Sequence, residues 1–391
     1  MRKVAVVGGG HTQFVTDSPN TSLELLAEAS MDAIIHSNLT PKDIQAVYCG
    51  NVLGDFSEGQ GMIQSYLANE IGCNHVPASK FEGACATGTI AMRDAAMWVA
   101  AGIYDIVLVC GVEKATAMGT PLATRTFAMF GDSRFEYPAG FTFPAVFAML
   151  AHLYASHYNI PLEKLKEQMA RVSVQSHYYG AKNPNAQFPK EITVEKVLSG
   201  PMVTTPLQLL DCCPFTDGAA AVILASEEIA KKLTDKPVYI AGTGQASSGH
   251  LASQYNYLPR LRAREVSVKQ AYIMAGIVPG DIDVCELHDC FSIASIIAAE
   301  SLGFAEFGTA GEFWEKGEAK IGGKTPINIS GGLKSKGHPI GATGVSQVYE
   351  VTKQLRGELV DQGRQVEGAK VGLVDTLGGD GIIVNLVLKR E

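Results

Sequence analysis

The sequence predicts an α/β protein built of duplicated α/β/α layers. Two similar halves are related by a pseudo-twofold axis, with an inserted loop region in the first. Three observations carry this expectation. Apolar residues make up 46% of the chain and charged residues 18%, the balance of a well-buried globular protein. At 391 residues the chain exceeds one ordinary core and points to two units of similar size. Finally, one series of segments occurs twice in the same order.

The first copy of that series reads Leu39-Thr40-Pro41-Lys42-Asp43-Ile44-Gln45-Ala46-Val47-Tyr48. The second reads Ile277-Val278-Pro279-Gly280-Asp281-Ile282-Asp283-Val284-Cys285-Glu286. Each spells helix end, turn, then strand. Strand-like runs precede both, at Lys3 to Val7 and at Val238 to Ala241. Further on, Cys85-Ala86-Thr87-Gly88 opens one long apolar helix, and His338 to Gly344 opens another. A buried strand follows each, at Ile106 to Cys110 and at Val371 to Val374. Alternating strands and helices predict mainly parallel pairing. The halves are set at residues 1–235 and 236–391. The region from about 115 to 205 has no counterpart in the second half. It includes Phe135-Glu136-Tyr137-Pro138 and the helical run Leu162 to Gln175, and reads as an excursion over the surface. A lid or ligand-binding rim is one use for it; a dimerisation arm or plain decoration are the others.

The net charge of −8 argues against a general affinity for nucleic acid or anionic membranes. An anionic ligand stays open, because a helix N-terminus can bind phosphate on an acidic protein. Met1 to Gly8 begins a strand and lacks the apolar run of a signal peptide. No segment is apolar enough to span a membrane, and Lys389-Arg390-Glu391 is not a peroxisomal address. Eight cysteines without a secretion signal read as cytoplasmic thiols. There is no Cys-x-x-Cys pair, so no metal is expected.

The strongest local signal is Glu82-Gly83-Ala84-Cys85-Ala86-Thr87-Gly88-Thr89. Small residues surround the cysteine, and the apolar stretch Ile90 to Ala101 suits a buried helix. Cys85 then sits at a strand-to-helix turn, where unpaired N–H groups favour the thiolate that thioester exchange needs. A buried core cysteine is the plain alternative. The second signal is Ser330-Gly331-Gly332-Leu333-Lys334-Ser335-Lys336-Gly337-His338-Pro339-Ile340-Gly341-Ala342. Pro339 fits a first helical turn, which puts His338 at a helix start, opposite Cys85 if the halves are related by twofold symmetry. It can take the thiol proton, or simply cap its own helix. The third signal, Glu286-Leu287-His288-Asp289-Cys290-Phe291-Ser292, follows a buried strand. It reads as a second acid/base pair facing Cys85, or less well as two soft metal ligands. Cys49, Cys73, Cys110 and Cys285 read as core. Cys212-Cys213 precedes the tight turn Pro214 to Gly218. Val7-Gly8-Gly9-Gly10-His11-Thr12 mimics a dinucleotide fingerprint but lacks its helix and acidic residue, so it reads as a turn.

Together these residues resemble the thiolase superfamily, from the first strand to the last. Glu82 to Gly88 is similar to its nucleophile motif and Gly337-His338-Pro339 to its Gly-His-Pro block. Cys213 to Gly218 resembles the loop lining the pantetheine tunnel. His288-Asp289-Cys290-Phe291 replaces the usual Asn-Glu-Ala-Phe, as in sterol-carrier-protein-type thiolases and archaeal acetoacetyl-CoA thiolases. One departure stands out. The family's second cysteine, in a Cys-x-Gly motif, is replaced here by Asp375 in Asp375-Thr376-Leu377-Gly378-Gly379-Asp380-Gly381.

The resemblance implies Claisen condensation of two acetyl-CoA to acetoacetyl-CoA, and the reverse thiolysis, through acyl-Cys85. His338 is then the base for Cys85, and Cys290 the second acid/base, with Asp375 as its alternative. His338 and His288 would hold the enolate oxygen. Cys213, Pro214, Ser247, Gly378 and Gly379 fall near coenzyme A or an oxyanion site. Coenzyme A thioesters are substrates, and no cofactor is required. A homodimer or homotetramer is implied. So is an isoprenoid (mevalonate) role with hydroxymethylglutaryl-CoA synthase, bridged by a small zinc-ribbon and OB-fold protein. Two rivals remain: a ketoacyl-synthase-like condensing enzyme, and a non-catalytic acyl-CoA-binding carrier or scaffold.

Overall fold

The computed structural model describes residues 2–249, 254–379 and 381–391. Its main sheet is built from β1 (Val4–His11), β2 (Val47–Gly50), β3 (Ala78–Phe81), β4 (Ile106–Lys114), β7 (Asp217–Ser226), β8 (Val238–Ser247), β9 (Val284–Glu286), β10 (Val371–Gly378) and β11 (Ile382–Arg390). β5 (Met202–Thr204) and β6 (Leu207–Gln208) form a separate ribbon.

The strand order β3-β2-β4-β7-β1-β8-β11-β10-β9 reads as a mirror about the β1–β8 junction. β2 matches β9, β4 matches β10, and β7 matches β11. A lone parallel bridge from Cys285 to Ile327 stands where β3 pairs with β2 in the first half. The repeated segments match in detail. Pro41–Asp43 and Pro279–Asp281 each form one 3-10 turn. In each, an aspartate oxygen accepts the N–H three residues back, Thr40 N at 2.8 Å and Val278 N at 2.9 Å.

Pairing is mixed rather than mainly parallel. Among the described strands only β2–β3, β2–β4 and β9–β10 run parallel. The rest are antiparallel. The cause is connection length. β10 turns into β11 within a few residues, and so short a link joins only antiparallel neighbours. β4 and β7 are the equivalent pair, with the excursion inserted at their hairpin.

That excursion is helical, not a loop. It carries the helices Gly119–Ala128, Phe143–His157 and Leu162–Gly180. Thr142 caps the second by accepting Ala145 N, and Pro144 occupies its first turn. Its buried Val146, Phe147, Leu150, Leu165 and Met169 share a core with Ile293, Ile296 and Ile297 of the second half. The excursion therefore closes over the other half of the molecule.

Two helices fill the middle layer, Thr87–Ala100 and Thr343–Arg356, and share one core with strands of both halves. They touch where each begins. A side chain at Gly344 would meet Thr89 Oγ1 at 1.9 Å, and one at Gly88 would meet Gly341 O at 2.8 Å. This contact brings the turns preceding the two helices together. The glycine run at 8–10 is not a turn but part of β1. A Cβ at Gly8, Gly9 or Gly10 would strike Ser37 Oγ at 2.1 Å, the Tyr349 ring at 2.4 Å or Ala29 O at 2.1 Å. The strand is pressed between helices on both faces, and only bare backbone fits. Among the described residues, no helix is long and apolar enough to cross a membrane.

Candidate active site

Cys85 sits in a 3-10 turn, Ala84–Ala86, immediately before the Thr87–Ala100 helix. The turn is sharp enough to hold Ala84 at φ +48°, a left-handed geometry that costs a non-glycine residue roughly 1–2 kcal/mol. Local hydrogen bonds hold it. Ala84 N donates to Glu82 Oε1 at 2.6 Å, Gly83 N to Thr87 Oγ1 at 2.8 Å, and Thr87 Oγ1 to Ala84 O at 2.6 Å. The elbow presents the half-buried Cys85 to a cavity of about 130 Å³. Burial pushes its thiol well above the usual range, helped by Cys213 and Glu113, while the N–H groups of Gly379 and of Cys85 itself pull the other way. The resting group is therefore a thiol, not the thiolate expected at a helix start, because burial outweighs the amides. It needs a base.

His338 supplies one. It lies in the chain before the Thr343–Arg356 helix, not at the helix start, because Gly337 at φ +117° and the turn through Ile340–Ala342 delay the helix. Its Nδ1 lies 2.7 Å from Thr343 Oγ1, and that hydroxyl donates to Pro339 O at 3.0 Å. With its one hydrogen spent there, Thr343 accepts from Nδ1–H. This network assigns the proton to Nδ1 and leaves Nε2 as a lone-pair acceptor. Nε2 is buried and has no protein partner. Burial, helped by Lys336, pushes the imidazole down to about 3, so it is neutral at rest. Thr343→Val is expected to slow acylation of Cys85 by about 10- to 100-fold, since support of this kind fixes the tautomer. Rapid-mixing measurement of coenzyme A release checks it, with Thr343→Ser close to wild type.

His288 stands against His338, ring centroids 5.0 Å apart and edge to face. It is also held below its ordinary value, by burial and then by His338, Arg264 and Lys334. Cys290 lines the same cavity, and its carbonyl accepts Cys213 N at 2.8 Å. Aromatic pairs wall the remainder. Phe147 stacks on Phe291 at 4.6 Å, and Phe127 on Phe215 at 5.3 Å. Ligand atoms of Cys85, His288 and His338 lie within 4.8 Å of one another, so a soft cation could be held there. The same set is what a nucleophilic thiol with its base requires.

Family models decide the relationship. One described as Thiolase, N-terminal domain matches residues 4–228, and one described as Thiolase C-terminal domain-like matches residues 244–385. The chain belongs to the thiolase family. It is 42% identical over 381 residues to an acetyl-CoA acetyltransferase of Methanothermobacter thermautotrophicus, covering 97% of each chain. Human sterol carrier protein 2 is 32% identical, matched over 100% of this chain and 72% of that one. A solved structure, the Ltp2-ChsH2(DUF35) aldolase, superimposes with a TM-score of 0.84 at 26% identity, over 99% of this chain and 98% of that one. The chain is thus an acyltransferase.

Of the positions singled out in the sequence of this thiolase, Cys85, His338, His288, Cys290, Cys213, Pro214 and Gly379 line the one cavity. Ser247 and Gly378 do not. They face a separate hollow lined also by Glu82, Gly83 and Ile382, which among the described residues shares only Gly379 with the first. Ser247 pairs with Ile382 at the end of the β8–β11 ladder. Asp375 is also outside the cavity. It is fully buried on β10 and ion-paired to Arg264 at 3.0 Å. Residues missed in the sequence include Thr343, which a hydroxyl five positions after His338 could have signalled. Glu113 is another. Its carboxylate takes four N–H donors, Asn51 Nδ2 at 3.0 Å, Val52 at 3.1 Å, Leu53 at 2.8 Å and Gly341 at 3.2 Å. Burial still pushes it up to about 8. It ties the His338 loop of the second half to β4 of the first.

Proposed function

We propose that this thiolase condenses two molecules of acetyl-CoA into acetoacetyl-CoA and coenzyme A, and runs the reverse thiolysis. One observation carries this: Cys85, His338, His288 and Cys290 face a single small cavity, with a lone-pair nitrogen of His338 free in it. The acetyl-CoA acetyltransferases among its relatives favour the same substrate. A volume of about 130 Å³ walled by phenylalanines suits a short acyl group.

The protons balance as follows. His338 Nε2 takes the Cys85 proton, and the thiolate attacks the thioester carbonyl carbon. The N–H groups of Cys85 and Gly379 receive the oxyanion. The carbon–sulfur bond to coenzyme A breaks, and Cys290 protonates the departing sulfur. This leaves acetyl-Cys85, His338 protonated at Nε2, and Cys290 as thiolate. Cys290 then removes an α-proton from the second acetyl-CoA. His338 Nε2–H and His288 donate to the enolate oxygen. The enolate carbon attacks acetyl-Cys85, the Cys85 sulfur leaves, and His338 returns its proton. Each step uses only these side chains and two thioesters.

A ketoacyl-synthase-like enzyme would need no base such as Cys290, because decarboxylation supplies the carbanion. Acetyl-CoA alone should therefore yield acetoacetyl-CoA, with malonyl-CoA giving no advantage. Product formed only from malonyl-CoA would overturn the assignment.

The division into halves at 235/236, a cytoplasmic homodimer or homotetramer, and a place in isoprenoid synthesis belong to the same proposal. So does assembly with hydroxymethylglutaryl-CoA synthase through a small zinc-ribbon and OB-fold protein. The similar Ltp2-ChsH2(DUF35) aldolase, whose name joins two components, supports assembly with a second chain. Co-purification from native cells checks it; separation of all components at low salt would remove it.

A further inference from the structure

Arg264 lies on the Arg262–Ala275 helix with no exposed side-chain surface. Its Nε donates to Asp375 Oδ1 at 3.0 Å, while Nη1 and Nη2 are buried without a protein partner. Asn385 Nδ2 also donates to Asp375 Oδ1, at 3.0 Å. The other carboxylate oxygen faces the backbone N–H of His288 at 3.5 Å. The pair thus sits behind the segment that carries His288 and Cys290, away from the cavity. A second buried pair grips the next residue. Lys334 Nζ donates to Asp289 O at 2.7 Å and lies 3.6 Å from Asp289 Oδ2, and Leu333 N donates to Asp289 Oδ1 at 2.7 Å. The two residues before Cys290 are therefore held by two buried ion pairs, His288 through Asp375 of the first and Asp289 through Lys334 of the second.

A buried ion pair is a poor way to gain stability, since desolvation consumes most of its attraction. Its use here is orientation and local charge. We propose that Arg264, acting through Asp375, is a positioning residue for carbon–carbon bond formation: it fixes the peptide of His288 and thereby aims Cys290 at the second substrate. Asp375 cannot itself exchange protons with substrate, because it is buried, ion-paired and outside the cavity. Both cations also act on the base electrostatically. Burial chiefly, with Cys85 and Asp289, pushes the Cys290 thiol up, and Lys334 and Arg264 pull it down. Acylation of Cys85 draws instead on His338 and the Ala84–Ala86 elbow, and protonated His338 can replace Cys290 as the proton donor to the departing sulfur.

The inference rests on Cys290 being the base of condensation, and the test separates the two. Arg264→Gln, Arg264→Lys and the double variant Arg264→Met with Asp375→Leu are compared with wild type and Cys290→Ala. The double variant replaces both charges with apolar groups of similar volume, a change folds usually tolerate. Acetylation of Cys85 by acetyl-CoA is read by intact mass, and acetoacetyl-CoA formation is followed across pH. In Arg264→Gln and the double variant, acetylation should stay within about threefold of wild type, while condensation falls about 10- to 100-fold, the usual size for a lost supporting contact. The rising limb of the condensation profile should move to higher pH. Arg264→Lys should recover part of both. Equal loss in the two half-reactions, unchanged condensation, or an unmoved pH profile would overturn the role of Arg264. Full condensation in Cys290→Ala would instead overturn the assignment of the base.

Discussion

Cys85→Ala is expected to eliminate the covalent acetyl adduct and all turnover with acetyl-CoA. Deleting a covalent nucleophile costs on the order of a million-fold in rate where its partners act only through it. That condition holds here. The lone pair of His338 has no other thiol proton to take from the elbow, and the N–H groups of Cys85 and Gly379 would receive no oxyanion. Alanine keeps the backbone of the elbow intact, and the hydrogen bonds that hold Ala84 do not involve the sulfur. The variant should fold and bind coenzyme A normally. Intact-protein mass spectrometry after incubation with acetyl-CoA decides the matter. An adduct that survives in the variant would place the nucleophile elsewhere, with Cys212, Cys213 and Cys290 the thiols to examine.

Cys290→Ala should separate the half-reactions. Coenzyme A is a good leaving group, and protonated His338 can supply the proton that Cys290 ordinarily gives, so acetyl-Cys85 should still form. The α-carbon is different, because the two histidines that line the cavity are poor bases for it. His338 is neutral with its base strength suppressed by burial, and His288 is depressed likewise. Condensation and thiolysis should fall about a hundred- to ten-thousand-fold, the range for loss of a general base. The acetyl-enzyme should accumulate and be visible by mass. Parallel loss of acetylation and condensation would sink this division of roles.

Much of the site was legible because it lies in short, unusual strings. Small residues around Cys85 demand a tight elbow, and Gly337-His338-Pro339 announces another. The repeat was legible through Pro41 and Pro279, whose turns recur with their aspartates in place. What escaped depends on distance in three dimensions. Strand direction in β7 and β11 follows from hairpin closure, which a run of apolar residues does not record. Gly8 to Gly10 resemble a turn in one dimension and are a crowded strand in three. The thiol state of Cys85 depends on burial that no motif encodes. Arg264 reads as an ordinary helix-surface arginine until β10 and β11 close over it, so Asp375 looked available for proton transfer when its charge was already engaged.

The central position of β1 bears on how the polypeptide acquires its shape during synthesis. Among the described strands it leaves the ribosome first. Its neighbours are β7, which pairs with it from Ala220 to Ser226, and β8, which meets it at Tyr239 and Val238. For more than half of translation, Val4 to Val7 has no ladder to join. Pairings so distant along the chain are slow to form, and an unpaired apolar strand invites intermolecular association. Yield of soluble protein should therefore depend on temperature and rate of expression more than on the final stability of the fold.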